Sequence, residues 1–333
     1  MVTMVIGGTG FIGLNIAERL LTEGKTTVLF DRRPLPAAAR QYLSHLPGRL
    51  VEKTGDVLDT KGLHACLERE RVSHLFFGAA VTADPQREAR SPRQIIETNL
   101  VGMTSTLEAA RDAELERVIN LSSGAAYGER AHSDAPLDED MVLDPVGLYP
   151  VTKATSERIV RRLAALWSMQ LINVRLSPVF GPWEVDSGVR DLLTPQLQAT
   201  WLALQRRHGV LMFCDRRDWT YSRELARALV ALMAQPTLAH EVYNISCGEV
   251  SSSADWCARL AEHFSGFSWQ VADESNSANI SQHGAPERQP MVTERLRDAL
   301  GWVPHANIDD WFGDWLVWLE IARSYWSQTG RSI

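Results

Sequence analysis

The run Gly7-Gly8-Thr9-Gly10-Phe11-Ile12-Gly13 constrains the fold of this 333-residue chain more than any other feature. It lies between an apolar, β-branched stretch at residues 2–6 and a segment of helical periodicity reaching about residue 21. Glycine at 7, 10 and 13 removes side chains where a strand turns sharply into a helix. The turn tightens, the helix packs closely on the strand, and a pyrophosphate can reach the N–H groups that open the helix. Asp31 closes the next apolar run, residues 26–30, 18 positions after Gly13. A carboxylate there accepts both hydroxyls of an adenosine ribose and repels a 2′-phosphate, so NAD is the expected cofactor. Arg32 and Arg33 follow directly and can pair with such a phosphate, which keeps NADP as the alternative. Asp56, with Val57 beside it, closes the third strand and either binds the adenine amino group or caps the helix after Thr60.

Short apolar runs at residues 2–6, 26–30, 74–77 and 117–121 alternate with helical segments, and another strand is expected at 171–176. This pattern predicts an α/β fold: a Rossmann-type doubly wound parallel sheet with a smaller mixed α/β C-terminal substrate lobe. Residues 1–180 form the expected NAD-binding domain and 181–333 mainly the substrate lobe, with segments around 215–247 returning to the first domain. Residues 223–234 read as a helix, 242–245 as a buried strand and 308–327 as an amphipathic helix. Trp311, Trp315 and Trp318 share one face of that last helix, a spacing that points to core packing or a subunit contact.

Lys plus Arg number 34 against 41 Asp plus Glu, a net charge of −7 with no basic block, so nucleic acid and membrane surfaces are not expected partners. No apolar run approaches the ~18 residues of a membrane span. Cys66, Cys214, Cys247 and Cys257 lack CxxC spacing, and the histidines form no ligand motif, so no metal is expected. A cytoplasmic location is the corresponding expectation.

The chemistry-bearing residues follow the fifth strand. Ser122-Ser123 end it, and Tyr149-Pro150-Val151-Thr152-Lys153 comes 26 residues after Ser123. In a helix, Tyr149 and Lys153 share a face, and an ammonium beside the phenol lowers the Tyr pKa from ~10 toward working pH. Tyr149 can then exchange a proton with a substrate hydroxyl while a nicotinamide exchanges hydride with its carbon. Ser123, at the carboxyl end of a central strand, can hydrogen-bond the same oxygen.

With these residues in place the chain resembles the NAD-dependent epimerase/dehydratase family of extended short-chain dehydrogenases/reductases. The resemblance runs through Gly7 to Gly13, Asp31, Gly55-Asp56, Ala79-Ala80, Asn99-Leu100-Val101-Gly102, Ser123, Tyr127-Gly128, Tyr149/Lys153, Gly181-Pro182, Arg217-Asp218-Trp219, Tyr243-Asn244-Ile245 and Leu300-Gly301-Trp302. It implies catalytic positions at Ser123, Tyr149 and Lys153, with Asn99 in support. It implies cofactor contacts from Phe11, Ile12, Ala79, Ala80, Val81, Asn99, Leu121, Pro178 and Val179. It also implies a homodimer formed through the helices at about 92–113 and 149–167.

Departures from the family pattern bear on the substrate. Nucleotide-sugar members carry Asn where this chain has Pro178, and proline offers neither a side-chain donor nor an N–H, which argues against a nucleoside-diphosphate sugar. Dehydratases follow the catalytic hydroxyl with Asp-Glu, and Gly124-Ala125 can supply neither acid nor base. Trp183, Arg190 and Arg217 are the expected substrate contacts, an arginine being suited to a phosphate or carboxylate. The leading expectation is an NAD-dependent oxidoreductase acting on a secondary alcohol of a sugar-like or hydroxy-acid small molecule. The alternatives are a sugar epimerase with tightly held NAD and a non-catalytic NAD-binding sensor.

Overall fold

A computed structural model describes residues 1–186, 188, 193–273, 277–282 and 284–328. The strands are β1 (Val2–Ile6), β2 (Thr26–Asp31), β3 (Arg49–Thr54), β4 (His74–Phe77), β5 (Arg117–Ser123), β6 (Gln170–Leu176), β7 (Val179–Phe180), β8 (Gly209–Leu211), β9 (Thr220–Tyr221), β10 (Val242–Ile245) and β11 (Trp269–Val271). The helices are α1 (Phe11–Thr22), α2 (Ala37–Leu43), α3 (Thr60–Arg69), α4 (Pro85–Arg90), α5 (Pro92–Ile96), α6 (Gly102–Asp112), α7 (Leu148–Trp167), α8 (Pro195–Leu204), α9 (Ser222–Ala234), α10 (Ser253–His263), α11 (Glu294–Leu300) and α12 (Ile308–Gln328).

Seven strands form one sheet in the order β10-β6-β5-β4-β1-β2-β3, and every pairing is parallel. The order reverses direction between β1 and β4. The carboxyl ends on either side of such a reversal diverge and leave a crevice, the place where open α/β sheets bind ligands. Alternate residues of each strand serve opposite faces. Val5, Leu29 and Phe76 join a core with α1 and α9, while Met4, Val28, Leu75 and Phe77 join one with α3 and α6.

The chain leaves the sheet after β6, forms the short β7–β9 pair, returns through α9 so that β10 aligns beside β6, and only then adds β11, which pairs with β8. The Trp-rich C-terminal helix lies against α2 and α10. Trp311, Trp315, Trp318 and Trp326 are buried within the core there. Trp256 meets Trp315 and Phe180 edge-on, with ring centroids 5.5 and 5.1 Å apart. Such arrangements suit aromatic quadrupoles.

Candidate active site

The crevice at the strand reversal is a cavity of about 950 Å³ running from the glycine turn, past the ends of β1, β2, β4 and β5, to α7 and the 284–288 segment. Its floor is built by close backbone approach. Gly7 adopts φ +74°, and a Cβ on it would lie 2.9 Å from the backbone N of Ala79, which fixes the turn of β1 against the end of β4. A Cβ on Gly13 would run into the carbonyl oxygen of Gly7. Gly10 is the N-cap of α1, has no side chain to cap the helix, and no acidic residue occupies the first turn. The first N–H groups of α1 therefore retain their capacity for an anion.

Asp31 at the end of β2 accepts hydrogen bonds from the Thr9 N–H (3.2 Å) and the Arg33 N–H (3.1 Å), which aim its carboxylate over the glycine turn. Arg32 lines the cavity and approaches Asp56 at 3.9 Å, both side chains being about half exposed. Asp56 accepts from the Leu58 N–H, while the cap of α3 is Asp59, which accepts from Gly62. An uncapped helix start over a glycine floor, with a carboxylate one strand away, fits a pyrophosphate and an adenosine ribose.

Tyr149 and Lys153 come from the first turns of α7 and Ser123 from the end of β5, and all three line the cavity. Lys153 Nζ donates to the Leu121 carbonyl at 2.7 Å and lies 5.8 Å from the centre of the Tyr149 ring. Burial lowers its ammonium from 10.5 to about 8, while Glu157 one turn on pulls it back up. Ser123 Oγ accepts from the Ala125 N–H at 3.1 Å. Beneath them the carboxylate of Glu157 accepts from Ser122 Oγ and from Arg175, whose Nη2 is 2.7 Å away, a pair that is almost fully buried.

The expected cofactor residues Gly7, Gly10, Phe11, Ile12, Gly13, Asp31, Arg32, Asp56, Val57, Ala79, Ala80, Val81, Leu121, Pro178 and Val179 all border this cavity, as does Arg217. Asn99 stands behind the wall instead. It sits in a single π turn between α5 and α6, 3% exposed, with its amide bonded to the N–H and C=O of Val81 and to Thr152 Oγ1. It therefore shapes the wall rather than touching what the cavity holds.

Trp183 is a correction: it is no substrate contact. Its backbone turns to φ +70° after Gly181-Pro182 and sends the indole between α1 and α12, fully buried, where Nε1 donates to Glu18 at 2.6 Å. Arg190 lies outside the described residues. Among the cavity residues that the sequence reading did not single out are Glu88 of α4 and Arg288. The Asp84-Pro85 cap signals α4 itself, but nothing local marks Arg288 among the other arginines.

Fold and site together define an α/β enzyme of the dinucleotide-binding class. The chain belongs to the NAD dependent epimerase/dehydratase family, which it matches over residues 3–246. It is accordingly an NAD-dependent enzyme of the extended short-chain dehydrogenase/reductase type. It is 28% identical to the low-salt glycan biosynthesis protein Agl12 of Haloferax volcanii, covering 93% of this chain and 96% of that protein. It is 29% identical to the UDP-glucose 4-epimerase of Lactobacillus helveticus, covering 93% and 94%. Among solved structures, MoeE5 in complex with UDP-glucuronic acid and NAD superposes with a TM-score of 0.75 at 24% identity, covering 97% of this chain and all of that one, a likeness of fold.

Proposed function

We propose that the enzyme interconverts a secondary alcohol and its ketone on an anionic, sugar-like substrate, with Tyr149 as acid/base. The observation that carries this reading is the convergence of Tyr149, Lys153 and Ser123 on one cavity beside the glycine turn. NAD, when held by Gly7 to Gly13 and Asp31, supplies the hydride acceptor. Tyr149 takes the proton of the substrate hydroxyl as its carbon is oxidised and returns it on reduction. Lys153, fixed by the Leu121 carbonyl, stabilises the phenolate, and Ser123 hydrogen-bonds the substrate oxygen. Asn99 holds Val81 in place and so keeps the wall of the cavity in shape.

Epimerisation is the second reading, favoured by the UDP-glucose 4-epimerase relative and by Gly124-Ala125, which offer no acid/base pair for dehydration. Quantifying NAD released per chain from protein purified without added cofactor separates the two. Near-stoichiometric NAD supports a cofactor recycled in place and hence epimerisation; an empty site that binds NAD reversibly supports a dehydrogenase; release of NADP overturns the role given to Asp31. Tyr149→Phe with full activity overturns the mechanism.

A cytoplasmic homodimer completes the proposal. Ile96, Val101 and Val151 are 40, 48 and 39% exposed on the adjoining α5, π turn and α7, an apolar face that a second copy would cover. Light scattering that reports a monomer at micromolar concentration counts against it.

A further inference from the structure

Behind the site lies a carboxylate to which the proton transfer assigns no part. Glu157 stands on α7 one turn after Lys153, nearly inaccessible and outside the cavity lining. Hydrogen bonds fix both of its oxygens: Ser122 Oγ donates to Oε1, Arg175 Nε to Oε1 and Oε2 at 3.0 and 3.2 Å, and Arg175 Nη2 to Oε2 at 2.7 Å. Taking two charges out of water together is costly, and an apolar pair of similar volume often serves stability as well. The place of this pair points to a use beyond stability.

Tyr149, Lys153 and Glu157 follow one another at four-residue intervals, so phenol, ammonium and carboxylate share one side of α7. Lys153 Nζ is held by the carbonyl of Leu121, and the carboxylate of Glu157 by the hydroxyl of Ser122. The two charges are therefore pinned to consecutive residues of β5, the strand that ends at Ser123. Arg175 is fixed in turn. Its Nη1 donates to the Glu139 carbonyl at 3.2 Å, and its guanidinium lies 4.7 Å from the centre of the Tyr127 ring. Glu157 can turn away from the ammonium only by giving up these bonds.

Burial pulls the Lys153 ammonium down to about 8, and Glu157 acts against that pull. Other charged and titratable groups on the elements packed against α7 are engaged elsewhere. Arg175 of β6 faces Glu157, and the Tyr127 hydroxyl, in the turn after β5, bonds to Asp138 and Asn244. Arg93 of α5 pairs with Glu97 at 2.6 Å, and Arg111 of α6 covers the Trp167 ring at the far end of α7. Arg158, Arg161 and Arg162 of α7 itself are exposed.

We propose that Glu157 is a positioning residue of this reaction: held by Arg175 and Ser122, it keeps the Lys153 ammonium charged and in place beside Tyr149. It acts through the lysine rather than on substrate or cofactor. This inference rests on the reading in which Tyr149 is the acid/base and Lys153 stabilises its phenolate.

The test follows Lys153 directly. The chain has four lysines, Lys25, Lys53, Lys61 and Lys153, so NMR of protein carrying 13C-labelled lysine resolves their titrations, and the signal that Lys153→Met removes identifies this one. Glu157→Gln leaves the charge of Arg175 unopposed and is expected to move the Lys153 titration to lower pH by about one unit. Glu157→Gln/Arg175→Met removes both charges and is expected to move it the same way by less; it carries the comparison if the single variant does not fold. Glu157→Asp keeps the charge and shifts the titration least. The alkaline fall in kcat moves with it. A titration that keeps its wild-type position in the folded charge-removing variants, or one that moves as far in Glu157→Asp, overturns the proposal. Turnover that persists in Tyr149→Phe overturns the catalytic reading instead, while a displaced lysine titration still supports the hold of Glu157 on Lys153.

Discussion

The Oε1 atom of Glu88 accepts a hydrogen bond from the Leu148 N–H at 2.6 Å. Leu148 opens α7, the helix that presents Tyr149 one residue later and Lys153 one turn on. Gly147 before it takes φ +86°, and a Cβ there would lie 3.1 Å from the same carboxylate oxygen. Glu88 thus fastens the start of α7 across the cavity mouth. Glu88→Ala is expected to lower kcat roughly tenfold with KM nearly unchanged, the size of a lost helix-cap bond felt as misplacement. Glu88→Gln keeps an acceptor and recovers most of the rate. Steady-state kinetics checks both, and a loss confined to KM counts against positioning.

The role proposed for Asp31 is the choice of dinucleotide. Asp31→Ala is expected to weaken NAD roughly tenfold and to admit NADP, because the carboxylate that repels a 2′-phosphate is gone while Arg32 stays on the cavity wall. Titrations with the two dinucleotides decide the matter. Unchanged discrimination would assign selectivity elsewhere.

Lys153 links stability to pH. Its folded value of about 8 lies below the 10.5 of the unfolded chain, so between these values the unfolded state binds the extra proton. Wild type is therefore expected to gain stability relative to Lys153→Met as pH rises from 8 toward 10.5, and to lose that gain as pH falls through 8. Urea unfolding of both proteins across this window measures the difference. A flat difference would show that the lysine titrates alike in both states.

Glu157 and Arg175 form a pair in which both side chains are nearly inaccessible, at 4% and 3% exposure. Removing one charge leaves the other buried alone, at a cost of about 3–5 kcal/mol. Glu157→Gln is expected to lose about that much in urea unfolding, while Glu157→Gln/Arg175→Met recovers part of it. A loss below about 1 kcal/mol would mean that water reaches the arginine.

Local chemistry made the sheet legible. The runs at 74–77 and 242–245 are short and apolar, and they coincide with β4 and β10. The edge strand β3 gave a weaker signal, since Arg49, Glu52 and Lys53 interrupt its apolar face. The glycine turn was readable because its three gaps answer to backbone sterics alone. Trp183 misled because position after Gly181-Pro182 says nothing of the left-handed turn that redirects the indole into the core. Glu88 and Arg288 were silent for a related reason: each meets a partner remote in sequence, Leu148 and Gly124, and periodicity carries no record of such meetings.

The return of β10 to the sheet has a consequence for the nascent chain. By the time residue 176 has been synthesised, six parallel strands exist, yet the free edge of β6 awaits residues 242–245. A ribosome must add the whole intervening excursion before that edge is covered, and an uncovered edge is a template for pairing with other chains. The late strand therefore makes the vulnerable interval of biogenesis a matter of translation speed: slow codons between β6 and β10 prolong it, and fast ones shorten it.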